Sequence, residues 1–272
     1  MLRTYKKNIG FKCVSYNKVY NLLREGQVLM GKSVKRGYVP EDQKEFTGVQ
    51  LAKLQAAAKE TQYLLDHGYP VKNTTTFIGN HYMFSERQRL ALARGISSKK
   101  DIQLRKDKQI LQDTAGMSVH IDGFNTIISL EIALSGSLLL HCSDGTIRDL
   151  AGLRGTYRII DKTRQAIRLV FEQLQELKIA EATFYLDAPV SNSGRLKTLI
   201  LQVAQEYELN VFVEVIYDVD RVLEKLSGVI SGDAIILNQC KSWINLVYSI
   251  VQKLPDIWSV QLLEDIESTT NI

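Results

Sequence analysis

Three aspartates each close an apolar run: Asp122 follows Val119-His120-Ile121, Asp187 follows Phe184-Tyr185-Leu186, and Asp233 comes just past Val229-Ile230-Ser231. In a parallel sheet the carboxyl ends of the strands share one edge, and ligands bind in the crevice outside it, so acids far apart in sequence meet there. Crowded carboxylates repel and take up protons unless a cation neutralises them. A cluster of this kind implies a hard divalent ion, Mg²⁺ or Mn²⁺, which can activate water and stabilise the leaving oxygen of a phosphodiester. Taken singly, each aspartate is more often a turn former or a helix cap. Two further acids are candidates to complete the site. Asp220 follows the apolar run ending at Tyr217, with Asp218 read as a helix cap. Asp144 lies in Ser143-Asp144-Gly145-Thr146-Ile147-Arg148-Asp149, where it and Asp149 also read as turn formers. Glu131, on the helix after the first strand, reads equally as a metal-site residue or a solvated one. His120 and His141 read as core histidines.

These acids need a scaffold. After Gly116 apolar runs alternate with amphipathic stretches, predicting strands at 117–122, 137–142, 182–187, 210–217 and 228–231. Helices are predicted at about 125–135, 161–178, 193–208, 219–227 and 240–253. Such alternation indicates βαβ units and a mainly parallel sheet flanked by helices on both faces, an α/β fold of three layers. Ahead of it, Val49 to His67 carries apolar residues at helical spacing and is stopped by Gly68 and Pro70. Ser85 with Gln88 forms a capping box for a helix running to Gly95, decorated by Arg87, Arg89 and Arg94. The resulting division is an extension over 1–35, a basic helical module over 36–98, a linker helix over 99–115 and the α/β domain over 116–272.

Charge follows that division. Residues 1–115 hold 21 Lys and Arg against 10 Asp and Glu, whereas the remainder holds 13 against 20. A basic front suits a polyanion such as RNA or DNA, and an acidic back suits divalent cations. Cys13, Cys142 and Cys240 are far apart and form no C-x-x-C pair, which indicates neither a disulfide framework nor a zinc knuckle. The N-terminus lacks the apolar core of a signal peptide and no run of about eighteen apolar residues occurs, so a cytoplasmic protein without a membrane partner is expected. Gly26-Gln27-Val28-Leu29-Met30-Gly31-Lys32-Ser33 satisfies the P-loop pattern, but the strand before it and the helix after it that would aim backbone N–H groups at phosphate are missing.

Ile121-Asp122-Gly123-Phe124-Asn125-Thr126-Ile127 resembles the first strand and helix start of PIN-like nucleases, especially the NYN branch with its D-G-[YF]-N motif. Together with Leu186 to Gly194 and Ile230 to Ile236, it resembles a prokaryotic family joining two domains of unknown function, 434 and 5616. The first is carried by Arg36-Gly37-Tyr38-Val39-Pro40-Glu41-Asp42, the Tyr63 to Pro70 stretch and Ser85-Glu86-Arg87-Gln88-Arg89, and covers Arg36 to about Ser97. The second covers Gly116 to about Leu254. The PIN-like resemblance implies a central parallel sheet and metal-dependent RNA cleavage, with Asp122, Asp187 and Asp233 at the metal-holding positions and Asp220 at another acidic one. The stretch Gly136 to Asp144 departs from it, since PIN nucleases continue there into further helices.

The expectation is thus a Mg²⁺- or Mn²⁺-dependent nuclease acting on RNA rather than DNA. Asp122, Asp187 and Asp233 hold metal, Asp220 or Asp144 completes the site, and Asn125 positions Asp122 or the phosphate. Arg87, Arg89 and Arg94 grip the nucleic-acid backbone without reading sequence. The alternative is a nucleic-acid-binding or assembly protein of the same fold that performs no chemistry, and a third reading, resting on the P-loop pattern, is a nucleotide-dependent switch.

Overall fold

The alternation of buried and exposed residues along the strands sorts the α/β half into layers. A computed structural model describes residues 34–152 and 155–263. Gly26 to Ser33, most of the 1–35 extension and Cys13 lie outside them. Strands β1 (Ser118–Asp122), β4 (Glu181–Asp187), β5 (Asn210–Ile216) and β6 (Val229–Ile230) form one sheet in the order β5-β4-β1-β6, every pair parallel. In β4 the buried residues Ala182, Phe184 and Leu186 alternate with half-buried ones, the period of two that a pleated strand imposes. These three, with Val119 and Ile121, face helices α6 (Gly123–Leu134), α7 (Thr163–Glu176), α8 (Ser193–Ala204) and α11 (Leu246–Val251) in the largest core. Tyr185, Ile216 and Val229 face α9 (Val219–Leu223) and α10 (Ala234–Gln239) in a smaller core around Trp243. The expected three-layer α/β arrangement is therefore present.

A second sheet is new. β2 (Leu139–His141) does not join the main sheet. It pairs antiparallel with β3 (Ile147–Asp149) through a turn at Ser143 to Gly145, and parallel with β7 (Ser259–Gln261). The helices ahead of the α/β half, α1 (Asp42–Glu45), α2 (Gly48–Asp66), α3 (Val71–His81) and α4 (Glu86–Gly95), pack on this sheet. Leu54, Ala58, Ile78 and Leu92 share a core with Leu138, Leu140, Val260 and Leu262. Short of burying enough apolar surface alone, the helices complete their core with strands from the other half of the chain.

The capping box at Ser85 is formed, with reciprocal bonds of 3.2 Å between Ser85 and Gln88. Helix α3 was not expected, because Val71-Lys72-Asn73-Thr74-Thr75-Thr76 lacks apolar periodicity. Its threonines bond back to the helix, Thr75 to the Val71 carbonyl at 2.9 Å and Thr76 to the Lys72 carbonyl at 2.8 Å, and tertiary packing against α4 decides the outcome. The helix expected over 240–253 is confined to α11, and the unexpected helix α10 precedes that range. Between them Trp243 bridges Gln109 and Val229 in strand fashion and donates its indole N–H to the Arg105 carbonyl at 2.7 Å. Helix α5 (Lys99–Lys108), capped by Ser98, ends earlier than the expected linker helix. Among the described residues no helix is long and apolar enough to cross a membrane. Cys142 and Cys240 are free and buried, as small hydrophobes.

Candidate acidic site at the strand edge

Because β1, β4 and β6 run parallel, their final residues emerge at one edge, and the loops leaving them build the site. Asp122 ends β1 and is also the N-cap of α6, its Oδ1 accepting the Asn125 N–H at 3.3 Å. Its Oδ2 accepts from the Ser231 hydroxyl at 2.9 Å, and the same Ser231 Oγ takes the Asp233 N–H at 3.0 Å. One serine thus ties the loop after β6 to the end of β1. The Gly232 peptide is clamped on both sides: its N–H donates to Asn125 Oδ1 at 2.8 Å and its carbonyl accepts from Arg148 Nε at 2.5 Å. Asn125, expected to position Asp122 or a phosphate, therefore positions the β6 loop. A Cβ on Gly232 would lie 3.2 Å from both Asn125 Oδ1 and the Ile147 carbonyl, so a side chain there would have to push these two groups of the clamp back by a few tenths of an ångström.

The acids at this edge act on one another. Burial, reinforced by the nearby charges of Asp233 and Asp220, pushes the Asp122 carboxyl up to about 7 against the opposing bonds from Ser231 and Asn125. Asp220 is raised by partial desolvation and then by Asp233, Asp187, Glu224 and Asp218. Asp187 is raised by partial burial and by Asp218, while the Val219 N–H donates to its carboxylate and opposes the shift. Asp218 occupies the N-cap position, with φ of +56°, but makes no side-chain capping bond. Asp233 caps α10, accepting from Ile235 N at 2.7 Å and Ile236 N at 3.3 Å. Asp122, Asp187, Asp220 and Asp233 are thus linked in one electrostatic chain along the strand ends.

Their oxygens are the right kind for a hard ion. Among the described residues, however, no three His, Cys, Asp or Glu side chains lie close enough together to hold one ion as they stand. Asp122 and Asp233 are each occupied in capping a helix, and a shared ion needs at least part of that capping to be exchanged for metal bonds.

The other candidates sit elsewhere. Asp144 is fully buried between two guanidinium groups, Arg105 at 2.5 Å and Arg148, and its Oδ1 accepts from Thr146 Oγ1 at 2.6 Å and Thr146 N at 3.2 Å. Although burial works against it, Arg148 and Arg105 hold this carboxyl well below the usual carboxylate range. It is the turn former of the β2–β3 hairpin and the hub of an ion triad; through Arg148 that triad braces Gly232. Glu131 is neither solvated nor at the strand edge: it is fully buried, 2.6 Å from Arg36 Nε, and accepts from Tyr157 Oη at 2.9 Å. His120 lies 3.2 Å from Tyr185 Oη and its pKa is lowered by partial burial.

The three arginines of α4 each bond to groups of the protein itself. Arg87 forks onto Asp42, with Nη2 at 2.7 Å from Oδ2, and reaches the Leu150 carbonyl. Arg89 lies over Gly79 and donates to the Phe84 carbonyl and Asn80 Oδ1. Arg94 pairs with Asp149 at 3.3 Å and is more exposed than Arg87, at 37%. Ser231, Gly232, Arg148 and Arg105 were not singled out from sequence as site residues. Ser231 and Gly232 stood beside Asp233 in plain view, but nothing in a linear pattern shows that the Ser231 hydroxyl will reach Asp122, 109 positions away, or that Arg148 will reach the Gly232 carbonyl, 84 positions away.

Gly123 offers a direct check of how tightly the edge is built. A Cβ there would stand 2.6 Å from Leu186 Cδ2 and 3.0 Å from the Tyr185 carbonyl. The leucine tip can move but the β4 backbone cannot, so Gly123→Ala is expected to cost about 1–3 kcal/mol in a urea titration. An unchanged midpoint is incompatible with this packing.

Residues 111–249 match the family described as a domain of unknown function, DUF5616, and residues 53–108 match a protein family of unknown function, DUF434. Over 204 residues the chain is 32% identical to an uncharacterized protein of Methanocaldococcus jannaschii, an alignment that spans 74% of this chain and 98% of the relative. No solved structure matches the chain.

Proposed function

The chain belongs to the DUF5616 family, and from the acidic edge carried by that part of it we propose a divalent-metal-dependent nuclease that acts on RNA in preference to DNA. The observation that carries this reading is the gathering of acids from four separate strand ends, where the charges of Asp233 and Asp220 add to burial in raising Asp122, and those of Asp233 and Asp187 add to it in raising Asp220. Like charges gathered at one edge raise each other's proton affinity, and a divalent cation relieves that repulsion. The Asp122-Gly123-Phe124-Asn125 motif, which resembles that of the NYN nucleases, supports the same reading.

In this proposal Asp122, Asp187 and Asp233 hold Mg²⁺ or Mn²⁺, which when bound polarises a phosphoryl oxygen and supplies hydroxide at neutral pH. Asp220, exposed at the rim, adds negative potential. Ser231 and Asn125 keep the β6 loop against β1, so that Asp233 stays beside Asp122. The lack of three ready ligands among the described residues favours a second reading, a nucleic-acid-binding protein on the same fold without chemistry.

One experiment separates them. With Mn²⁺ the protein is expected to cut a mixed RNA pool, EDTA to stop it, and Asp122→Asn or Asp233→Asn to lower the rate by roughly 100-fold or more. If Asp122→Asn cuts as fast as the wild type, the nuclease reading is lost. RNA binding that depends on salt but not on EDTA, with no cutting at any metal concentration, supports the second reading instead.

A further inference from the structure

A cleft of about 760 Å³ opens between the N-terminal helices and the acidic edge. One end is formed by Asn125, Gly232 and Asp233, the same loop groups that hold the candidate site together. The other is formed by Tyr69, Pro70 and Val71, at the turn between α2 and α3, with Ala93, Ile96 and Ile128 along the floor. Its size falls within the range of pockets that engulf a small organic ligand.

The charges around the cleft restrict what can occupy it. Its cations are Arg94, Arg105 and Arg148, and each already has a carboxylate: Arg94 pairs with Asp149, while Arg105 and Arg148 close on buried Asp144. Asp101, Asp149 and Asp233 line the same space, so the walls carry no surplus of positive charge to hold a phosphate. What remains is apolar surface, the exposed ring of Tyr69 (57% accessible), and the amide and carboxylate of Asn238 and Asp101 as hydrogen-bonding groups. Flat, uncharged, partly polar and able to stack, a heterocyclic base fits these walls better than an anion does.

We infer that the cleft between the α2–α3 turn and the β6 loop is a nucleobase subsite, which takes one unstacked base of the RNA chain and thereby lays the neighbouring phosphodiester against Asp122 and Asp233. This rests on the nuclease reading for its purpose, though base binding itself needs no cutting. A base held in a duplex is stacked on both faces and cannot enter, so the subsite selects unpaired nucleotides. It also assigns work to the N-terminal helices: they supply one wall of the pocket.

The test uses the full chain in EDTA and a single-stranded oligoribonucleotide carrying one 2-aminopurine. Binding is expected to quench the probe's fluorescence as the base stacks. Tyr69→Ala and Ala93→Phe, one removing the ring and the other filling the floor, are each expected to weaken binding about tenfold, with the melting temperature and its response to Mn²⁺ unchanged. Should Ala93→Phe fold poorly, Tyr69→Ala alone carries the test. Wild-type affinity in Tyr69→Ala, or equal binding of the same sequence as a duplex, overturns the subsite. Equal affinity for free 2-aminopurine ribonucleoside monophosphate overturns the RNA chain as the occupant. Failure of the nuclease reading shows separately, as absent Mn²⁺-dependent cutting beside intact, Tyr69-dependent binding.

Discussion

Without metal, Asp122→Asn is expected to be more stable than the wild type above pH 7, by roughly 2–4 kcal/mol, and the advantage should vanish near pH 4. The carboxyl titrates near 3.8 when unperturbed and at about 7 in the fold. Between those values the folded protein keeps a proton that the unfolded chain has released, so this group's contribution to stability falls as pH rises through the window. Above about pH 7 both states are ionised and the fold bears the full cost of a buried, crowded charge. Asparagine keeps the shape and brings no charge: its amide oxygen can still cap α6 in place of Oδ1, while its NH2 group, in place of Oδ2, can donate to Ser231 Oγ. Urea titrations in EDTA at pH 4, 5.5 and 8 measure the difference. Saturating Mn²⁺ is expected to erase it by stabilising only the wild type. A variant less stable than the wild type at pH 8 would mean that the acids at this edge are not in electrostatic conflict.

The second large effect concerns Asp144, which does not belong to the acidic edge but governs it from behind. Asp144→Ala leaves two guanidinium groups, with side chains only 3% and 8% exposed, without a counter-ion. Breaking a buried ion pair from one side typically costs about 3–5 kcal/mol. The loss should be visible as a lower urea midpoint at pH 7. It should also loosen the β6 loop, because Arg148 then lacks the partner that aims it at the Gly232 carbonyl. Faster amide exchange at Gly232 and Asp233 than at Val119 or Ile121 in the β1 core marks that local release. Replacing Asp144, Arg105 and Arg148 together by apolar residues of similar size should cost far less than Asp144→Ala, since no charge is then left stranded. A loss below about 1 kcal/mol in the single variant would show that the triad is not the brace of this loop.

The two expectations differ in how they could be reached. That Asp122, Asp187 and Asp233 stand at strand ends is visible in the chain itself, since each follows an apolar run and precedes a helix. That Asp144 is enclosed rather than available is not. Its local pattern, Asp144-Gly145-Thr146, announces only a turn, and the turn is there. The arginines that neutralise it come from α5, 39 positions away, and from the far strand of the hairpin. The same holds for Arg87 and Arg89: a run of basic residues on one helix suggests a polyanion, yet their donors are consumed by Asp42, backbone carbonyls and Asn80.

Local physics, then, is what the amino-acid order decided. Apolar runs marked the strands of the main sheet, capping residues began the helices, and each acid was set at the end of its own strand, because each of these depends on neighbours within a few residues. The tertiary structure alone decided which strands went to which sheet, that the N-terminal helices would finish their core on β2 and β7, and that a threonine-rich segment would be helical. It also decided the traits on which function turns: the sharing of Ser231 between Asp122 and Asp233, the clamp on Gly232, and the cleft between two segments of the chain. These arise from long-range burial and charge pairing, where energy depends on distances in space that separation along the chain does not encode.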